Sequence, residues 1–364
     1  MNDVAELKQF VTVHARTQNL LPHVYRPLLD RIRTDGDGPG SWVHEWSAAA
    51  TGRLHAGDPL GACRYYAMAR FPFPDGPARQ DAQRQCVSAF ESWRQDNDTG
   101  IERLDITLPD GTVGCWTSGL SSTARRPLLL VMGGIVAVKE QWAPILRQAR
   151  RLGMAGLVTE MPGVGENTLP YSAESWRMLP AILDAVRDRA DVSHTYAVAL
   201  SFSGHLALRC ASVDPRIRGI ATSGAPVSDF FTDREWQSRL PRITVDTLAH
   251  LTGVEQQALA ARLPGWRLGD DELTGLDIPV CYLASSRDEI IPAGDPARLR
   301  ERVRQLRLME NDDVHGSPRH VTESRLWVAL SLLRMRDVRG PQRLVVGSLW
   351  RAARLRARLR RTAA

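Results

Sequence analysis

Between Pro127 and Met309 the chain repeats one unit, a short dense apolar run followed by a longer amphipathic stretch, and nothing else in the sequence restricts its fold as tightly. The runs Pro127–Met132, Ala155–Thr159, Thr195–Leu200, Ile217–Thr222, Ile278–Leu283 and Leu306–Met309 have strand length. The stretches Glu140–Leu152, Ala173–Arg189, Phe202–Ser212 and Thr322–Leu333 space their apolar residues three and four apart, the period of a helix. Short apolar strands separated by helices must be covered on both sides. The alternation therefore predicts an α/β fold with a mostly parallel central sheet and helices on both faces. In such sheets the chemistry gathers at the carboxyl ends of the strands.

The flanks read differently. Residues 1–100 carry helical periods, as in Val4–His14 and Asp81–Trp93, broken by Gly/Pro/Asp-rich stretches at 34–40 and 72–77. From Ile101 the pattern turns to strands around Leu108-Pro-Asp-Gly111, a β-hairpin, so a boundary is expected near residue 100. The division is then a helical domain over 1–100, an α/β core over 101–340, and a tail over 341–364. Within the core, residues 227–270 interrupt the alternation with helical, Trp-containing sequence, which reads as a cap inserted over the strand ends. The tail contains Arg351-Ala-Ala-Arg-Leu-Arg-Ala-Arg-Leu-Arg-Arg361, a basic helical stretch read as a solvated terminal helix.

With 43% hydrophobic and 24% charged residues the chain has the composition of an ordinary globular protein. Its net charge of +6 owes much to the tail, and no basic patch interleaved with aromatics supports nucleic-acid binding. No apolar run has membrane-spanning length, the opening Met1-Asn-Asp-Val-Ala-Glu6 does not read as a signal peptide, and neither secretion nor a membrane partner is expected. The five cysteines, Cys63, Cys86, Cys115, Cys210 and Cys281, are widely spaced without a CxxC pair. Neither a disulfide framework nor a metal site is expected, and the cytoplasm is the expected compartment.

Four features fall at predicted strand ends. Val198-Ala-Leu-Ser-Phe-Ser-Gly-His205 is a strand breaking into a serine and then small residues, the layout of a nucleophile elbow with Ser201 at its tip. The usual glycines two residues either side are replaced by Ala199 and Ser203. Leu128-Leu-Leu-Val-Met-Gly-Gly-Ile135 is a strand running into Gly133 and Gly134, whose unhindered backbone N–H groups, with that of Phe202, suit a developing oxyanion. Asp288 follows the run at 278–283 and suits the carboxylate that orients a histidine, with Glu289 as its competitor. His315 lies in the polar loop Asn311-Asp-Asp-Val-His-Gly-Ser-Pro-Arg-His320, with His320 as the alternative. The order Ser…Asp…His is that of one class of serine hydrolases. His205, just after the elbow, is a candidate to line the pocket.

These residues together make the chain resemble the α/β-hydrolase superfamily. Within it the resemblance is to the group of 2,6-dihydroxypseudooxynicotine hydrolase, the fermentation–respiration switch protein and polyketide-shortening pigment hydrolases. It extends over residues 40–340 and rests further on Ala69-Arg-Phe-Pro-Phe73, on Gly133-Gly-Ile-Val-Ala-Val-Lys-Glu140 and on Pro162-Gly-Val-Gly-Glu166. Val136 stands where that group carries an acidic residue. The resemblance implies Ser201 as nucleophile, His315 as general base, Asp288 as orienting acid, and the amides of Ile135 and Phe202 as the oxyanion hole. It also implies that the N-terminal helices act as a lid, with Arg70, Trp42 or Trp46 near substrate. Relatives in this group are often dimers, which leaves a homodimer as one open oligomeric state for this chain. No cofactor is implied.

The expected function is a serine-dependent hydrolase that cleaves an ester, or a carbon–carbon bond next to a ketone, in a small molecule of polyketide or aromatic secondary metabolism. Two alternatives stand beside it. One is a lyase on the same scaffold that eliminates an acyloxy group in antibiotic (tetronate) biosynthesis. The other is a non-catalytic binding protein.

Overall fold

The computed structural model describes residues 2–97 and 99–362. Its centre is an eight-stranded sheet: β1 (Ile101–Leu108), β2 (Gly111–Ser118), β3 (Pro127–Met132), β4 (Ala155–Thr159), β5 (Asp191–Ala199), β6 (Ile217–Ser223), β7 (Val280–Ser285) and β8 (Leu306–Asn311). The spatial order is β1-β2-β4-β3-β5-β6-β7-β8, with β1 and β2 antiparallel and the remaining strands parallel. Pro109 and Asp110 make the turn of the first hairpin, which pairs Leu108 with Gly111. Strand order reverses at β3, which pairs with β4 on one side and β5 on the other. The crevice outside the carboxyl ends of β3 and β5 is the place where a sheet of this kind binds ligands.

Helices cover both faces, as the apolar strands require, and the fold is that of an α/β-hydrolase. The stretch expected as one helix over 140–152 is three pieces, Lys139–Trp142, a 3-10 turn at Ala143–Ile145 and Leu146–Arg151. Pro144 is the reason, because it supplies no N–H and crowds the preceding turn. The stretch 173–189 is likewise shorter, a 3-10 turn at Ser175–Arg177 and a helix over Met178–Val186.

Residues 4–96 form five helices, α1 (Val4–Thr17), α2 (Pro22–Arg31), α3 (Trp42–His55), α4 (Pro59–Ala69) and α5 (Pro77–Asp96). They share one apolar core with the sheet, in which Phe90 of α5 packs against Trp116 of β2 at 4.8 Å. The insertion after β6 is helical, running from Asp229–Thr232 through Arg242–Thr252 to Asp270–Thr274. It is tied to α1, where the carboxylate of Glu6 accepts from the amides of Arg242 and Ile243 at 2.9 and 2.8 Å. No helix among the described residues is long and apolar enough to cross a membrane.

Candidate active site

Ser201 lies where β5 breaks. Leu200 N donates to Met132 O of β3 at 3.0 Å and Ser201 N to Ser223 O of β6 at 2.8 Å, so both neighbouring strands hold the turn. Ser201 itself has φ 56° and ψ −130°, a backbone conformation that L-residues rarely adopt. Such strain costs about 1–3 kcal/mol and survives only where the surroundings impose it. The helix Phe202–Val213 begins at the next residue. The hydroxyl of Ser203 is shared between Leu200 O at 2.9 Å and Met132 O at 3.0 Å, so this serine braces the turn where a glycine is usual. The small residue that the packing demands is Gly204. A Cβ there would overlap Thr222 Oγ1 and sit 2.7 Å from Ala225 Cβ.

His315 Nε2 lies 3.1 Å from Ser201 Oγ, and its Nδ1 lies 3.0 and 2.9 Å from the two carboxylate oxygens of Asp288. This geometry fits a neutral imidazole that donates from Nδ1 and accepts the serine proton at Nε2. Asp288 Oδ1 also accepts from the amides of Ile290 and Ile291, at 3.0 and 2.8 Å, which fixes its rotamer. Glu289, the rival for that role, points elsewhere, and its Oε2 accepts from His315 N at 2.9 Å. His320, the rival histidine, pairs with Glu323 at the start of the next helix. Burial alone would push the His315 pKa down, but the charge and hydrogen bond of Asp288, helped by Glu289, raise it above the usual imidazole value.

Gly224, which follows β6, makes room for this ring. It has φ +58°, and a Cβ there would lie 2.6 Å from His315 Cε1 and 3.0 Å from Nδ1. The sequence reading missed it, although a glycine two residues beyond the predicted strand Ile217–Thr222, and directly after the observed one, was its visible signal.

Gly134 faces Ser201 across the switch point, with its Cβ position 3.0 Å from Ser201 Cβ. Among the described residues neither the Ile135 nor the Phe202 amide donates to a protein acceptor, so both are free for a ligand oxygen. The loop carrying Ile135 is anchored twice. Arg70, fully buried, donates to Val136 O at 2.5 Å and to Pro72 O at 2.9 Å. The backbone at 136 receives the guanidinium, so no acidic side chain is needed there. The second anchor is Lys139, whose Nζ meets Glu140 at 2.9 Å, Glu160 at 3.2 Å and Glu166 at 2.5 Å. Glu160 also accepts from Lys139 N at 2.9 Å and Glu166 N at 2.7 Å, and Arg103 reaches Glu166 at 2.6 Å. The Lys-Glu and Pro-Gly-Val-Gly-Glu segments are thus two halves of one buried ionic cluster. Burial raises the Glu160 carboxyl, opposed by Lys139, while the three carboxylates overcome burial and raise Lys139.

The four residues expected near substrate, Trp42, Trp46, Arg70 and His205, are engaged elsewhere. Trp42 is wholly buried among the N-terminal helices, with Nε1 donating to Met68 O at 2.9 Å and its ring beside Trp46 and Phe71. Trp46 is equally buried. Arg70 holds the loop of Ile135 from behind, through Val136 O. His205 is sealed off as well: its Nε2 pairs with Trp266 O at 2.8 Å and its ring lies against Phe231. It ties the cap to the elbow helix, and burial drives its pKa down to about 3. The cap also grips the acid loop, since Trp236 Nε1 donates to Ile290 O at 2.8 Å. Two open surface clefts, one lined by Arg125 and Asp191 and the other by Arg84 and Glu91, contain neither Ser201, Asp288 nor His315. Among the described residues no group of three or more His, Cys, Asp or Glu side chains is arranged to hold a metal.

Comparison with known proteins bears on the family and the fold. A family model described as FrsA-like (Esterase FrsA-like) matches residues 35–300. Esterase FrsA of Vibrio cholerae serotype O1 is 23% identical over 279 residues, covering 70% of this chain and 67% of that one. Esterase FrsA of Salmonella newport is 25% identical over 284 residues, covering 70% and 69%. Among solved structures, AbyA5 is 51% identical with a TM-score of 0.93 over 96% of this chain and 99% of that one. The 2,6-dihydroxy-pseudo-oxynicotine hydrolase is 18% identical with a TM-score of 0.66 over 84% and 93%, a likeness of fold.

Proposed function

The chain belongs to the FrsA-like esterase family and is an enzyme of hydrolase type, and from that premise we propose that it hydrolyses a small acyl compound through an acyl-enzyme on Ser201. The non-catalytic alternative is set aside by that membership. The observation that carries the reading is the pairing of a strained Ser201, at φ 56°, with His315 Nε2 at 3.1 Å. A backbone held in that conformation presents the hydroxyl for attack.

In this mechanism His315 takes the Ser201 proton as Oγ attacks the acyl carbon. The carbonyl oxygen becomes an oxyanion facing the amides of Ile135 and Phe202, where fixed donors stabilise it most. Asp288 stays ionised, holds the tautomer and stabilises the imidazolium. His315 then returns the proton to the leaving group, an alcohol from an ester or the enolate carbon from a bond next to a ketone. Water, deprotonated by the same imidazole, releases the acid and restores Ser201. The N-terminal helices and the cap serve as the lid over this chemistry.

The test is turnover in ¹⁸O-labelled water with wild type and Ser201→Ala. Hydrolysis predicts one labelled oxygen in the released acid and loss of about 10³-fold or more in kcat for the variant. Unlabelled products with turnover surviving in Ser201→Ala would replace this reading with elimination of an acyloxy group, in which His315 removes a proton and no acyl-enzyme forms.

A further inference from the structure

His14, on α1, was not among the residues singled out from the sequence, yet the fold brings it to the reacting groups. Its neighbour Val13 packs on the loop of His315, and a Cβ at Gly316 would lie 3.0 Å from Val13 Cγ1. On the other side the His14 ring meets Phe71 at 5.2 Å, and Phe71 follows Arg70, which holds the oxyanion loop through Val136 O. The helix α1 thus runs beside the His315 loop, and the His14 ring lies on Phe71, next to the arginine that holds the 133–138 loop, within the field of both Arg70 and His315. The ring is half-buried, and among the described residues neither ring nitrogen has a hydrogen-bond partner in the protein.

The charges around it are one-sided. Arg70 is buried with both of its hydrogen bonds on neutral carbonyls, and its Nε has no partner. The carboxylates in its field, Glu140 and Glu160, are already engaged by Lys139. Asp288 is saturated by His315 and two amides, and Glu289 is bonded to His315 N. His250, also in the field of Arg70, is stacked on Phe73. Burial, Arg70 and His315 hold His14 neutral, down to about 3. A buried cation without a carboxylate, beside an imidazole with two open nitrogens, lacks one negative charge.

We propose that His14, backed by the Arg70 guanidinium, is an anion subsite, so that the acyl compound turned over at Ser201 carries an ionised acidic group, a carboxylate or enolate. This rests on Ser201 being the reacting centre. When such a group enters, a ring N–H of the neutral His14 donates a charge-assisted hydrogen bond to it, and the opposite charge raises the proton affinity of the imidazole.

The experiment uses the full chain as Ser201→Ala, with monomethyl succinate as the acidic probe and dimethyl succinate as its neutral counterpart. The imidazole ¹H–¹⁵N signals of His14 are assigned by their loss in Ser201→Ala/His14→Gln and followed at about pH 7, where the monoester is ionised, as each probe is titrated in. The expected result is a saturable shift of the His14 ring signals with the monoester, from a new hydrogen bond to its carboxylate, and none with the diester. Equal response to both probes, or to neither, overturns the subsite. A second arm measures the ratio of kcat/KM for acidic over neutral ester, which cancels any loss of folded protein. His14→Gln should lower that ratio about tenfold, the size of one charge-assisted hydrogen bond, and an unchanged ratio overturns the proposal. If wild type turns over neither ester, the probe titration alone decides the subsite, and a fluorophosphonate adduct on Ser201 decides the nucleophile separately.

Discussion

Gly224→Ala isolates the geometry on which the chemistry depends. The added Cβ would stand 2.6 Å from His315 Cε1, 3.0 Å from Nδ1 and 3.4 Å from Asp288 Oδ2. Carbon atoms rest at about 3.5 Å, so the ring has to retreat by roughly 0.9 Å. It has little freedom, because Glu289 holds its backbone and Asp288 its Nδ1. A displacement of that size cannot preserve both the contact with Asp288 and the 3.1 Å contact with Ser201. Misplacement of about 1 Å costs on the order of 10²-fold in rate. The variant also carries a backbone penalty, since alanine at positive φ costs about 1–2 kcal/mol. Gly253→Ala separates the two effects: Gly253 has φ +62° with nothing within 4 Å of its Cβ position. The two variants should lose similar stability in thermal melts, while only Gly224→Ala loses about 10²-fold in kcat on a reporter ester. A folded Gly224→Ala enzyme within about threefold of wild type, or an equal loss in Gly253→Ala, would refute the reasoning.

Asp288→Asn removes the charge that raises His315 above 6.5, so kcat should fall by about 10³–10⁴. Wild-type activity should rise with pH through a midpoint above 6.5, the unprotonated imidazole being the base, and that midpoint should move down in the variant. Lys139→Met leaves Glu140, Glu160 and Glu166 around an uncharged side chain; denaturant unfolding should show a loss of about 3–5 kcal/mol. His205 is pushed down to about 3, so the unfolded chain binds its proton more readily and stability should fall as pH drops from about 6.5. His205→Gln should reduce that slope by up to about 1.4 kcal/mol per pH unit in urea titrations between pH 6.5 and 5.

The strands were legible because burial on both faces leaves little choice of residue. Pro127–Met132 and Ala155–Thr159 are read to their boundaries. Ser201, Asp288 and His315 were legible because each follows a strand, and the fold gathers strand ends. Side-chain direction was not legible. Trp42, Arg70 and His205 have the chemistry of substrate contacts, yet their partners Met68, Val136 and Trp266 lie far away in sequence. His14 was hidden for the opposite reason, falling in line with Leu7, Phe10 and Val11 on the inner face of α1. The ionic cluster was visible only as two motifs, because its closure on Lys139 needs β3 and β4 side by side.

The most direct measurement of the central claim is peptide mapping by mass spectrometry after reaction with a fluorophosphonate. The account predicts a single phosphonyl adduct on Ser201, formed in wild type and absent in Ser201→Ala. An adduct on another residue, or labelling that persists undiminished in Ser201→Ala, would contradict it.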